Sequence, residues 1–297
     1  MLIAIYARHL GELEIKTLKR LIKACLKEQV DFIFHKSLTE GIQSNIDEFN
    51  ITDKHFFGRK DDLRKRKVEF FVCIGGDGTM LDSILFVGGT SIPVLGINTG
   101  RLGYLSTLAL NEIEEMLAEL KANNYSIDPR TALESRMTTN KNPKPSYALN
   151  DISLHKRDTS AMITIHTYLN DEYFNTYWAD GLLVTTPTGS TAYSLSCGGP
   201  IMYPDAQGLI ITPVAPHNLN VRPIIVSDKT TITLKVDGRG VNYLLAMDSR
   251  NKVVDYSSII EIKKAPFSLN LVSFRSKTFS KTLQDKLNWG RDNRNLV

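Results

Sequence analysis

Phe70-Phe71-Val72-Cys73-Ile74-Gly75-Gly76-Asp77-Gly78-Thr79 runs directly into Met80-Leu81-Asp82-Ser83-Ile84-Leu85-Phe86-Val87. The first five residues are apolar without polar alternation, as in a strand covered on both faces. Three glycines within four residues then end it in a tight turn. Met80 to Val87 reads as a helix leaving that turn. Strand, glycine turn and helix in succession form the building unit of a parallel sheet with covering helices.

The flanking sequence extends the pattern. Leu2 to Tyr6 reads as a strand, and Leu13, Leu18, Leu21, Ile22 and Leu26 follow helical spacing. Further strands are expected at Phe32 to Phe34 and Pro93 to Ile97, and Asn111 with Glu114 predicts a capping-box start to a helix ending near Lys121. Beyond Asp128 the texture changes. Ala161 to Leu169, Glu172 to Trp178, Gly181 to Thr186 and Thr230 to Val236 are strand-like and follow one another without helices between. Phe279 to Leu287 returns to helical spacing. The expected organisation is an α/β N-terminal domain with a parallel sheet over 1–127, an all-β, sandwich-like domain over 128–274, and a tail over 275–297 that returns to the first domain.

Composition limits the partners. Hydrophobic residues make up 42% of the 297 and charged residues 23%, the profile of a globular chain. An excess of 36 basic over 32 acidic residues gives a net charge of +4, too slight to require a nucleic acid or an anionic membrane. Small anionic ligands suit it better. The start at Met1 to Tyr6 lacks the pattern of a secretory signal, and Cys25, Cys73 and Cys197 show no metal-like spacing and cannot all pair with one another. A cytoplasmic location is the expectation. The basic run Arg59 to Lys67 reads as a solvated face.

The chemistry concentrates in two stretches. Gly75, Gly76 and Gly78 let backbone N–H groups converge on an anion, and the helix start behind them adds partial positive charge. The same glycines also suit a plain strand-to-helix turn. Asp77 tips the balance, because a carboxylate inside a phosphate cradle repels its ligand unless it has a task, such as accepting a hydroxyl proton or organising Mg²⁺. No Walker lysine follows, so this is not a P-loop. The second stretch runs from Asp180-Gly181-Leu182-Leu183-Val184-Thr185-Thr186-Pro187-Thr188-Gly189-Ser190-Thr191-Ala192-Tyr193-Ser194 to Ser196. It reads as a rigid loop presenting hydroxyls, backbone amides and one aromatic face, a set that can hold a nucleotide. His155, His166 and His217 have no neighbours at metal-ligand spacing.

Gly75-Gly76-Asp77-Gly78-Thr79 resembles the signature shared by NAD kinases, diacylglycerol and sphingosine kinases and, more distantly, phosphofructokinases. Asp180 to Ser196 resembles the second NAD kinase signature nearly residue for residue. Gly96-Ile97-Asn98-Thr99-Gly100-Arg101-Leu102-Gly103-Tyr104-Leu105, the pair Asn150-Asp151 after Ala148-Leu149, and Pro216-His217-Asn218-Leu219 leading to Arg222-Pro223 are similar as well.

The resemblance implies phosphoryl transfer from ATP, or another phosphoryl donor, to the 2′-hydroxyl of the adenosine ribose of NAD, giving NADP. It further implies Mg²⁺ arriving with ATP rather than a fixed metal site, and a homo-oligomer, a tetramer above others. Asp77 would accept the ribose proton, and Gly75, Gly76, Gly78 and Thr79 would surround the phosphates. Asp77, Gly78, Tyr104, Asn150, Asp151, Trp178, Asp180, Thr191, Ala192, Tyr193, Ser196 and Arg250 would meet NAD, with Asp248 beside Arg250 on the late strands. Departures are Asp151 where Glu is common, Thr185 for a frequent Ser, and Trp178 where members that favour oxidised NAD carry Arg. The last implies relaxed or redirected selectivity between NAD and NADH. The rival readings are a lipid kinase, which the glycine signature alone permits, and an NAD(P)-binding sensor without turnover.

Overall fold

The structure, a computed structural model, describes all residues except 47, 101–102, 107, 139–143, 158–160, 240, 275–277 and 290–297. The expectations for Arg101 and Leu102, and for those parts of the tail, therefore lie outside the described residues. The chain divides into two compact units, Met1–Pro129 with Leu269–Val297, and Arg130–Ser268. These divisions fall at 129/130 and 268/269, beside the expected 127/128 and 274/275.

In the first unit the strands Phe56–Phe57, Asp31–His35, Leu2–Ala7, Phe70–Ile74 and Val94–Ile97 lie side by side in that order and all run parallel. Both parities of each central strand are buried, which the unbroken apolar runs require. Ile3, Ile5, Val72 and Ile74 face a core with Leu18, Leu21, Ile22 and Cys25 of the helix Glu12–Lys27 and Ile113, Met116, Leu117 and Leu120 of the helix Ile113–Lys121. Tyr6 and Phe71 face the other side, where Phe86 of the helix Asp77–Val87 stacks on Phe71 at 5.7 Å.

Three local expectations change. Leu13 and Leu26 lie on the exposed side of their helix, because the buried stripe runs through Leu18, Leu21, Ile22 and Cys25. The cap ahead of the helix Ile113–Lys121 sits two residues earlier than Asn111 and Glu114. The Ala109 N–H donates to the Glu112 carboxylate at 2.7 Å across a short 3₁₀ turn, while Glu114 pairs with Arg20 at 2.8 Å. The basic run, expected to be a solvated face, also does structural work. Lys60 donates to the Gly88 carbonyl and Arg64 to that of Gly89 at 2.6 Å, satisfying carbonyls beyond the end of the helix Asp77–Val87.

The second unit packs two antiparallel sheets. One has the order Ile224–Ser227, Gly208–Val214, Gly181–Thr185, Asp151–His155, Asn242–Met247, Arg250–Asp255; the other contains Glu172–Ala179, Ile163–Leu169, Ile232–Asp237 and the part of Ile259–Ser273 up to Ser268. Leu154, Leu182, Val184 and Ile211 from the first sheet share a core with Ile165, Leu234, Ile260 and Ile262 from the second, the arrangement of a sandwich. Thus the chain joins an α/β domain with a parallel sheet to an antiparallel β domain.

Candidate functional site

The glycine turn closes the strand Phe70–Ile74, and Asp77 is the first residue of the helix that follows, earlier than the expected start near Met80. Gly75 is held by its N–H to the Ile97 carbonyl at 2.9 Å and has φ of +142°, a conformation that favours glycine. Its missing Cβ also leaves room for Thr79, whose hydroxyl would otherwise lie 2.4 Å away. Thr79 is therefore buried inside the turn, while Gly76 is exposed and Gly78 half-buried.

Asp77 is half-buried and held from the opposite side. Its Oδ2 accepts the Tyr104 N–H at 2.8 Å, and Oδ1 accepts those of Leu105 at 3.0 Å and Ser106 at 2.9 Å. The Ser106 hydroxyl donates to the Gly75 carbonyl at 2.9 Å, tying the same loop to the glycine turn. A Cβ on Gly103 would stand 1.9 Å from the Asp77 carboxylate, so only glycine permits this approach. A carboxylate has about four acceptor positions, and three are used among the described residues. The remaining one, on Oδ2, can take a hydroxyl proton. Tyr104 is half-buried, with Lys286 of the helix Phe279–Leu287 5.9 Å over its ring, and burial pushes its phenol up.

In the second unit the loop from Thr186 to Ser196 turns most of its hydroxyls inward, in contrast to the expectation that it presents them. The Thr186 hydroxyl donates to the Leu149 carbonyl at 2.6 Å and accepts the Gly189 N–H at 3.1 Å. Ser190 donates to the Pro187 carbonyl and accepts from Met202, and Ser194 meets Thr212 at 3.0 Å. Short side-chain bonds of this kind are what fold a turn with no ladder partners. The Thr185 hydroxyl is buried and has no partner among the described residues. Thr191, Ala192, Tyr193 and Ser196 are left half-buried or exposed. The Tyr193 ring lies 5.9 Å from that of His155, and burial pushes its phenol up, with the charges of Cys197, Asp151 and Asp180 adding to this.

Asn150 and Asp151 follow a turn built on Asp248. The Asp248 carboxylate accepts the N–H groups of Leu149 at 2.9 Å, Asn150 at 2.7 Å and Asp151 at 3.3 Å. Arg250 stands 3.8 Å from Asp248 and donates to the Tyr147 carbonyl. Asp248 thus works beneath the turn as a scaffold, which spacing alone does not reveal. Asp151 is buried, and its carboxyl is pushed up to about 7 by desolvation, with repulsion from Asp248 adding and a Ser153 hydrogen bond opposing. Burial likewise raises Asp248, against its amide bonds and Arg250. Asp180 is paired with Lys156 at 2.6 Å. Trp178 is 56% exposed on the strand Glu172–Ala179. His166 bridges Thr176 and Asp237 across strands, and His217 is exposed.

Two domain families match this chain. The ATP-NAD kinase N-terminal domain covers residues 3–125 and the ATP-NAD kinase C-terminal domain residues 149–274. The NAD kinase of Cytophaga hutchinsonii is 42% identical over 99% of this chain and 100% of its own length. That of Flavobacterium psychrophilum is 48% identical over 80% of this chain and 82% of its own. Among solved structures, yeast NADH kinase complexed with NADH superposes with a TM-score of 0.89 at 23% identity, over 98% of this chain and 88% of that one. An NAD kinase from Archaeoglobus fulgidus in complex with ATP gives 0.70 at 23% identity, over 97% and 99%. With both domains matched and relatives similar along nearly its whole length, the chain belongs to the NAD kinase family.

Proposed function

We propose that this chain transfers the γ-phosphoryl group of ATP to the 2′-hydroxyl of the adenosine ribose of NAD. The observation that carries the reading is Asp77, fixed at the head of a helix beside an open glycine turn with one carboxylate position left for a hydroxyl. In the transfer Asp77 takes the 2′-hydroxyl proton at Oδ2 as the ribose oxygen forms its bond to the γ-phosphorus. The bond from that phosphorus to the bridging oxygen breaks, and ADP leaves with the electron pair. Orientation and charge stabilisation supply most of the acceleration in such reactions.

Gly75, Gly76 and Gly78 line the phosphate side. NAD is held by Tyr104, Asn150, Asp151, Asp180, Thr191, Ala192, Tyr193 and Ser196, with Trp178 toward the nicotinamide. Asp248 and Arg250 support Asn150 and Asp151 from below. A divalent cation, Mg²⁺, neutralises the polyphosphate when it arrives with ATP. We assign the cation to the donor because triphosphate oxygens are themselves strong ligands for Mg²⁺. A homo-oligomer is supported by the exposed Tyr173 and Phe174 on one edge strand. No helix among the described residues is long and apolar enough to cross a membrane. We assign the chain to the cytoplasm on the free thiols of Cys25, Cys73 and Cys197.

The test is incubation of the purified protein with NAD, Mg²⁺ and ATP, reading NADP with an NADP-specific dehydrogenase. NADP formation with equimolar ADP is expected. Folded protein that makes no NADP but phosphorylates diacylglycerol overturns the reading, and one that binds NAD without releasing ADP points to a sensor.

A further inference from the structure

The order of parallel strands marks a switch point. From Leu2–Ala7 the chain winds outward through Asp31–His35 and Phe56–Phe57, then returns to place Phe70–Ile74 on the opposite flank of Leu2–Ala7. In open α/β sheets, ligands enter the crevice at the carboxyl ends of the two strands flanking such a reversal. Ala7 is in register with Ile74, so the residues just beyond those ends are Arg8 and the Gly75–Gly76 turn. Neither composition nor motif singles out Arg8.

Its guanidinium is already oriented. Nε and Nη2 fork onto the Asp82 carboxylate at 2.7 and 2.8 Å, and Nη2 also donates to the Gly78 carbonyl at 2.9 Å. The Tyr6 hydroxyl braces the same carboxylate at 3.1 Å. Asp82 lies one helical turn beyond Gly78 and its side chain is 12% exposed, against 41% for Arg8. The anion is behind and the cation faces solvent at the glycine turn.

We propose that Arg8 binds the phosphates of the nucleoside triphosphate donor, with Asp82 as its positioning residue. The inference rests on the reading of the chain as an NAD kinase. A planar guanidinium matches phosphate oxygens as an ammonium does not, and one held by Asp82 loses little rotamer freedom when the ligand arrives. A tie that only fastens the strand to the helix would affect both substrates alike.

The experiment separates these. In Arg8→Met, KM for ATP should rise at least about tenfold, the scale of one charged hydrogen bond, while KM for NAD stays within about twofold. Asp82→Asn should raise KM for ATP in the same direction but by less. Calorimetry with ADP and with inorganic triphosphate, which needs no turnover, should show weaker binding to Arg8→Met. An unchanged KM for ATP and unchanged triphosphate affinity in the folded variant overturn the proposal, as does an equal rise in both KM values. If Arg8→Met does not fold, Arg8→Lys decides: a selective severalfold rise in KM for ATP supports the role, and no rise sinks it. Wild-type protein that makes no NADP would remove the kinase reading, yet Arg8-dependent triphosphate binding would stand.

Discussion

Asp77 and Asp248 each accept hydrogen bonds from three consecutive backbone N–H groups, of Tyr104 to Ser106 in one unit and of Leu149 to Asp151 in the other. Their settings differ. The Asp248 side chain is 2% exposed, and Asp77 is half-buried at the head of a helix beside an open glycine turn. The same donor set organises a loop in both places. Only where the carboxylate keeps access to solvent does it also have a position for a substrate hydroxyl.

That contrast can be broken at Asp248 first. Asp248→Ala leaves three donors of a buried turn unpartnered, each costing about 1–3 kcal/mol before relaxation and water entry. A net loss of roughly 3 kcal/mol in urea unfolding is expected, together with weakened NAD binding. A loss under about 1 kcal/mol would show that the turn holds itself.

Gly103→Ala attacks the other nest without touching its carboxylate. The new Cβ cannot stand 1.9 Å from Asp77 Oδ1, so the carboxylate or the loop must move. A shift of about 1 Å at a reacting group costs on the order of 10²-fold in rate. We expect kcat to fall by about that factor, with KM for NAD little changed. Wild-type turnover would mean that the placement of Asp77 is not critical.

Asp151, next to Asp248, makes stability depend on pH. Burial, with repulsion from Asp248, pushes its carboxyl up to about 7 from an ordinary 3.8, so the folded state holds the proton more tightly. The stabilisation is full below about pH 4 and is lost as pH rises through about 7. Differential scanning calorimetry should show Tm falling between pH 5 and 8 by several degrees more, about 3–6 °C, in the wild type than in Asp151→Asn. Parallel curves for the two proteins would contradict the assignment.

The smallest effect concerns selectivity. Trp178 is exposed rather than packed, and an indole exerts no repulsion on a positively charged nicotinamide. Trp178→Arg should change the NAD to NADH ratio of kcat/KM by about three- to tenfold, and an unchanged ratio removes Trp178 from the choice.

Much of this was legible in the residues because it rests on local pattern. The unbroken run Phe70 to Ile74 could only be an inner strand, and the glycines behind it could only be a turn. Tertiary partners were not legible. Gly103 matters because Asp77, 26 positions earlier, comes to lie against it. Arg8 and Asp82 meet across a strand and a helix, and Asp248, expected with Arg250 near the nucleotide, is seen only in the fold to hold the turn from Leu149 to Asp151. The hydroxyls from Thr186 to Ser194 misled for a similar reason. Composition shows how many there are, and only the fold shows that they are spent on their own loop.

The central claim is that Asp77 accepts the ribose proton, and Asp77→Asn tests it most directly. The amide keeps the size of the side chain and some of the loop contacts while removing the basic oxygen. Calorimetric NAD binding should stay within a few fold of wild type, and single-turnover NADP formation should slow by at least about 10²-fold, the low end for a positioned base. A folded variant that binds NAD and forms NADP at close to the wild-type rate would contradict the account.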